Sequence, residues 1–201
     1  MSNINKNTGF LTKTALLSAI IIIMSFTPIG YLKVSAVEIS FIPVVVSIGA
    51  VFLGLKGGAL LGSVFGISSF LQCFGFSPFG TTLFSVNPLS TFILCLVPRI
   101  LMGYLSGLAF YIAQKNSFGE KFACAAAGLA APLLNSIFFC IGLVLLFGNT
   151  AFFDADAKNH IVKYVIGLVW INSLAEAIIC TIVSTAITFP LMKLVKNYGN
   201  K

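Results

Sequence analysis

Two ionisable residues, Arg99 and Glu176, fall deep inside apolar runs of this chain. Arg99 stands in Val97-Pro98-Arg99-Ile100-Leu101-Met102-Gly103-Tyr104, within the apolar run 89–113, and Glu176 stands in Asn172-Ser173-Leu174-Ala175-Glu176. A guanidinium near the centre of a membrane span costs about 2.5–3.5 kcal/mol on insertion scales, so it normally faces the protein interior and has a partner. Asn172 lies one helical turn before Glu176 on the same face, and Asn135 lies in a third apolar run. Gln72 and Asn87 stand at the outer edge of this set. A planar cation, a carboxylate and several amides inside a greasy bundle make a candidate site for a small polar solute. The competing reading of Arg99 is a structural ion pair with Glu176 that locks two helices together.

The elements that must hold these groups are membrane helices. The chain has 201 residues, of which 58% are hydrophobic and 8% charged, against about 25% charged in soluble domains. The composition predicts an all-α integral membrane protein with one membrane domain over 1–201 and short tails at 1–9 and 192–201. The five cysteines, at 73, 95, 124, 140 and 180, sit in or beside apolar runs without a Cys-x-x-Cys pair. They read as small core residues, with no metal site or cofactor implied. The first apolar run ends in Thr27-Pro28-Ile29-Gly30, which lacks the small-residue pattern of a cleavable signal.

Six spans are expected, over about 10–29, 41–53, 57–74, 89–113, 122–147 and 162–191. The second is short of the roughly 20 residues that a straight crossing needs. It therefore starts earlier, within the connector 30–40, or is shielded by its neighbours. Gly54-Leu55-Lys56-Gly57-Gly58 is a tight turn. Gly58, Gly62 and Gly66 then recur at four-residue steps, a stripe for close helix packing. Ala15 and Ala19 share the same spacing in the first span. The stretch 74–88 is uncharged and holds Phe74, Phe76, Phe79 and Phe84 among Gly, Pro, Ser and Thr. It reads either as a lid over a pocket or as an interfacial aromatic anchor.

With six spans both termini share one side. That side collects Lys6, Lys13, Lys56, Lys115, Lys121, Lys193, Lys196 and Lys201 against Glu120. The other side has Lys33, Lys158 and Lys163 against Glu38, Asp154 and Asp156. The positive-inside rule assigns both termini to the cytoplasm. The same asymmetry accounts for most of the net charge of +7 without a nucleic-acid partner. His160 falls in the polar external loop.

Several of these features together resemble a known family. They are six short spans in about 200 residues, Ala15-x-x-x-Ala19, the turn Phe52-Leu53-Gly54-Leu55-Lys56-Gly57-Gly58-Ala59-Leu60-Leu61-Gly62, and the aromatic stretch before span 4. The chain is similar over nearly its whole length to the substrate-binding S-components of energy-coupling factor (ECF) vitamin transporters. Ile39-Ser40-Phe41-Ile42-Pro43 and the segment around Arg99 look most like the pantothenate-type branch. The resemblance implies a bundle of six helices in the bacterial plasma membrane that binds a vitamin from outside. It implies partners: a membrane scaffold subunit, met by Ala15 and Ala19, and two cytoplasmic ATPase subunits. It also implies that the 30–40 connector and the 74–88 stretch close the site. The substrate-binding set is then Arg99, Asn135, Asn172, Glu176, Asn87, Gln72, Phe76 and Phe79. Arg99 would take the carboxylate of pantothenate, and Phe74 and Phe84 would join the aromatic cover.

Other readings stay open on the residues alone. Glu176 with two asparagines also suits pyridoxine, a thiamine-precursor pyrimidine or riboflavin. No Gly-x-x-x-x-Gly-Lys-Ser/Thr loop occurs, so any ATP use falls to a partner. A membrane enzyme finds no Gly-x-Ser-x-Gly, His-Glu-x-x-His or paired-Asp motif. A self-sufficient secondary carrier finds no evident inverted repeat, and a structural subunit without ligand remains. Arg99 lies about 15 Å below the outer end of its span, deep for a ligand entering from outside.

Overall fold

The computed structural model describes residues 2–34, 37–116, 119–150, 152 and 161–199; the side chains of 2–7, 32–39, 161–166, 168–172 and 198–199 are outside the description. Among these residues six helices follow in order: α1 Ser2–Phe26, α2 Ile42–Gln72, α3 Pro78–Val86, α4 Pro88–Lys115, α5 Glu120–Phe147 and α6 Ile161–Gly199. A 3-10 turn, Pro28–Gly30, and two short strands, β1 Tyr31–Val34 and β2 Val37–Ser40, lie between α1 and α2. Among the described residues, five helices are long and apolar enough to cross a membrane: Thr8–Phe26, Ile42–Gln72, Pro88–Lys115, Glu120–Phe147 and Ser173–Asn197.

The second and third expected spans are joined in one helical element, α2, that folds back on itself. Gly54 has φ 73° and ψ −171°, outside the helical region. A left-handed φ of this kind is cheap only for glycine. Residues eight apart in a straight helix are separated by about 12 Å. Here a Cβ on Gly58 would instead touch the Cβ of Ala50, and one on Gly49 would strike Leu61. The halves before and after Gly54 are thus antiparallel and packed face to face.

The glycine stripe does what its spacing predicts. Side chains at Gly58 and Gly62 would run into the carbonyl oxygens of Gly103 and Arg99, and one at Gly66 would meet the backbone of Cys95 and Leu96. The second half of α2 therefore lies backbone to backbone against α4. The main core lies where α1, both halves of α2, α4 and α5 meet, and it contains Ile21, Ile42, Val45, Val46, Leu61, Phe65, Met102 and Ala131.

Three elements differ from the sequence expectation. The connector 30–40 is not an extension of the second span. It forms an antiparallel hairpin in which Tyr31 pairs with Ser40 and Lys33 with Glu38. The stretch 74–88 is not all loop. Ser77 caps α3 by accepting a hydrogen bond from Gly80 N at 3.3 Å, with Pro78 in the first turn. The polar tail does not end the first helix either, because α1 runs back to Ser2. Most of the expected external loop 148–160, including Asp154, Asp156, Lys158 and His160, lies outside the described residues.

Candidate functional site

Arg99 is held by a gap that the helix makes for it. Pro98 has no N–H, so the carbonyl of Leu94 loses its helical donor. Arg99 Nη1 supplies a replacement, reaching Leu94 O at 3.4 Å and Cys95 O at 2.9 Å. The side chain therefore climbs about one turn toward the start of α4, in the direction helical side chains already lean. This lifts the guanidinium above the depth of its own Cα. Its Cζ lies over the Phe65 ring, 4.9 Å from the centroid. The carbonyls take Nη1, and Nε is buried with no hydrogen-bond partner.

Asn135 lies level with Arg99. Ser106 Oγ donates to Ala127 O at 2.9 Å, and Leu94 packs over Gly142. These contacts set the antiparallel register of α4 and α5 and bring Asn135 opposite the turn that carries Arg99. Asn135 Oδ1 is also buried and without a partner. Leaving a buried polar group unpaired costs about 1–3 kcal/mol. A donor on α4 and an acceptor on α5, both unpaired at one depth, are unusual in a packed bundle.

Glu176 completes the level from the other side. Gly128 packs on Thr181 and Ser184, which aligns Asn135 with the turn of α6 that carries Glu176. Glu176 is buried, and its Oε1 accepts a 2.8 Å hydrogen bond from Ser40 N at the end of β2. Cys180 Sγ donates to Ser40 O at 3.6 Å, and Ser47 and Ser184 hydroxyls meet at 2.7 Å. The hairpin and the head of α2 are thus tied to the middle of α6. Arg99 and Glu176 do not form the direct ion pair of the competing reading: Arg99 turns to backbone carbonyls of α4 and Glu176 to Ser40 N. The side chain of Asn172 lies outside the described residues.

The remaining expected site residues are engaged elsewhere. Gln72 accepts from Tyr31 Oη at 3.1 Å and donates to Ser25 O, so its amide ties α1, β1 and α2 together. Asn87 caps α4, its Oδ1 accepting from Ser90 N at 3.1 Å. Phe79 reaches down from α3 to Phe139 and Phe152, at 6.3 and 5.6 Å between ring centroids. Phe76 meets Phe26 edge-on at 5.9 Å and is 75% exposed. Phe74 and Phe84 cluster with each other and with Phe70. The helix α3 is therefore pinned by aromatic contacts at the same end of the bundle toward which Arg99 points. Ala15 and Ala19 are exposed on α1.

Sequence reasoning missed Ser40 and Phe65. Ser40 lies in a segment that the resemblance marked, but its contact is made by the backbone N–H, which the residue type does not signal. Phe65 carries one, since it lies between Gly62 and Gly66 on the stripe that meets α4. The caps were legible too. Ser77-Pro78 and Asn87-Pro88 each place a capping side chain before a first-turn proline.

A multi-pass apolar bundle with a polar level between its helices defines a membrane protein with a candidate solute site. The chain belongs to the family of substrate-specific components of ECF transporters, whose model matches residues 9–192. It is a multi-pass membrane transport protein. It is similar to a protein named pantothenate transporter PanT from Leuconostoc mesenteroides, with 30% identity across 98% of each chain. It is also similar to a protein named pantothenic acid transporter PanT from Lactococcus lactis subsp. cremoris, with 32% identity across 74% of each chain.

Proposed function

We propose that this chain is the vitamin-binding subunit of an ATP-driven ECF importer and that its solute is pantothenate. The observation that carries the reading is the pair of unpaired buried atoms at one depth, Arg99 Nε and Asn135 Oδ1. Pantothenate brings a carboxylate, two hydroxyls and an amide. Its carboxylate takes the free edge of the Arg99 fork, a bidentate geometry that lysine cannot reproduce. Asn135 accepts from a hydroxyl or the amide N–H. Glu176 and Asn172 serve the remaining hydroxyl, and Phe79 covers the apolar gem-dimethyl part from above. Gln72, Asn87 and Phe76 frame the entrance. The names of both relatives support the choice of vitamin.

The chain then crosses the bacterial plasma membrane six times, the two halves of α2 counting separately, with both termini inside. Ala15 and Ala19 meet the scaffold subunit, and two cytoplasmic ATPase subunits supply the energy. Membership of the family supports this arrangement.

The test is thermal unfolding of the purified, detergent-solubilised protein with a panel of pantothenate, pyridoxine, riboflavin and a thiamine-precursor pyrimidine. Tight binding at a thousandfold excess over Kd raises stability by about 4 kcal/mol. A shift with pantothenate alone, lost in Arg99→Ala, is the expected result. A shift with another vitamin only replaces the substrate, and no shift with any of them removes the reading. Uptake in cells lacking the scaffold and ATPases separates a binding subunit from a self-sufficient carrier, which transports without them.

A further inference from the structure

We propose that Phe65 is a positioning residue for ligand recognition, holding the Arg99 guanidinium in its anion-binding orientation. This rests on the reading above, in which Arg99 meets the ligand's carboxylate. Phe65 is 2% exposed and belongs to the main core, so its ring is fixed before any ligand arrives. It stands between Gly62 and Gly66, which bring α2 and α4 to backbone contact. That close approach is what sets the ring under the guanidinium, 4.9 Å from centroid to Cζ. The geometry is a cation–π contact in a dry setting, where such contacts are strongest.

The contact divides the work of the guanidinium. The Leu94 and Cys95 carbonyls take Nη1. The ring lies against Cζ. Nε is left buried and unpaired. Without the ring, the long arginine side chain regains rotamers that have to be frozen again when the anion binds. Phe65 does this work without touching the carboxylate itself.

The experiment replaces Phe65 with mono-, di- and trifluorophenylalanine in the full chain. Fluorine drains charge from the ring face with little change in shape, so the variants keep the core packing. Affinity is measured for pantothenate and for pantothenol, in which a hydroxymethyl group replaces the carboxylate. Pantothenate affinity is expected to fall stepwise with fluorination, by about tenfold over the series, while pantothenol affinity stays constant. The melting temperature of the ligand-free protein falls by only a few degrees, the size of the weakened cation–π contact. An equal fall for both ligands, or no fall for pantothenate, overturns the role of Phe65. If the unsubstituted protein binds pantothenol as tightly as pantothenate, or binds neither, the carboxylate is not read by Arg99, and the proposed recognition falls together with the role of Phe65.

Discussion

Arg99 donates to the carbonyl of Leu94, the very carbonyl that Pro98 leaves without a helical donor. A residue that breaks the helix ladder and a residue that mends it stand side by side in the sequence. The mend draws the guanidinium toward the N-terminal end of α4. It resolves the difficulty that Arg99 lies deep in its span, since the charged group sits well above its own Cα.

Replacing Pro98 with alanine separates the two roles. The backbone N–H gained at this position satisfies Leu94 O directly, and Arg99 keeps only Cys95 O. Pantothenate affinity is expected to fall about two- to tenfold. The melting temperature of the ligand-free protein holds or rises, because a regular helix bond returns. Isothermal titration together with thermal unfolding reads both quantities. A loss of stability with unchanged affinity would show that Pro98 serves packing alone.

Arg99→Lys tests the shape of the cation rather than its charge. A lysine ammonium is a point charge and cannot make a bidentate carboxylate pair. Affinity for pantothenate should drop by about a hundredfold, with pantothenol affected far less. Near-normal affinity in this variant would reduce the site to a point charge.

Glu176 is expected to matter before any ligand binds. Its Oε1 accepts from Ser40 N and so ties the β1–β2 hairpin to α6. Glu176→Ala leaves that N–H without its acceptor and should lower ligand-free stability by about 1–3 kcal/mol. Glu176→Gln keeps an acceptor oxygen and should lose less. Equal ligand-free melting temperatures for all three proteins would confine Glu176 to ligand contact.

Gly62→Val asks whether the α2–α4 contact is as tight as it stands. The new Cβ would press on the carbonyl oxygen of Arg99. Pushing the helices apart should cost about 1–3 kcal/mol and also move Arg99 off Phe65. Both a lower melting temperature and weaker binding are expected from one added side chain.

Ala15→Trp and Ala19→Trp bear on assembly. Both residues are exposed on α1, so a bulky side chain should leave the fold and vitamin binding intact. If this face meets the scaffold subunit, transport and co-purification with the energising subunits are lost while binding by the isolated chain persists. Normal transport in both variants would move the interface elsewhere.

Particular residues show how much was legible. Arg99, Asn135 and Glu176 stood out in sequence because charge and amide groups are costly among apolar neighbours. The Gly58, Gly62 and Gly66 stripe stood out because its spacing fixes one helix face. Gln72 and Asn87 were visible in the sequence, but their contacts were not. A polar side chain at the end of a span suits a ligand, a cap or an interhelical clamp equally well. Only the positions of Tyr31, Ser25 and Ser90 show the hydrogen bonds that they make in the ligand-free protein. The α3 helix carried its own capping signals, but the density of Gly, Pro and Phe around it looked like a loop.

By itself, the sequence determined that the chain lives in a membrane, roughly where its apolar helices run, and which few polar groups lie at depth. These follow from composition and from spacing along one helix, and both are local properties. Tertiary structure decided that α2 folds back at Gly54, that Arg99 leans toward Cys95 rather than Glu176, that Glu176 holds Ser40, and that Asn135 shares their level. Each of these depends on the register between helices. Register is set by which backbones can approach, at Gly58, Gly62, Gly66 and Gly128, and no single segment contains that information.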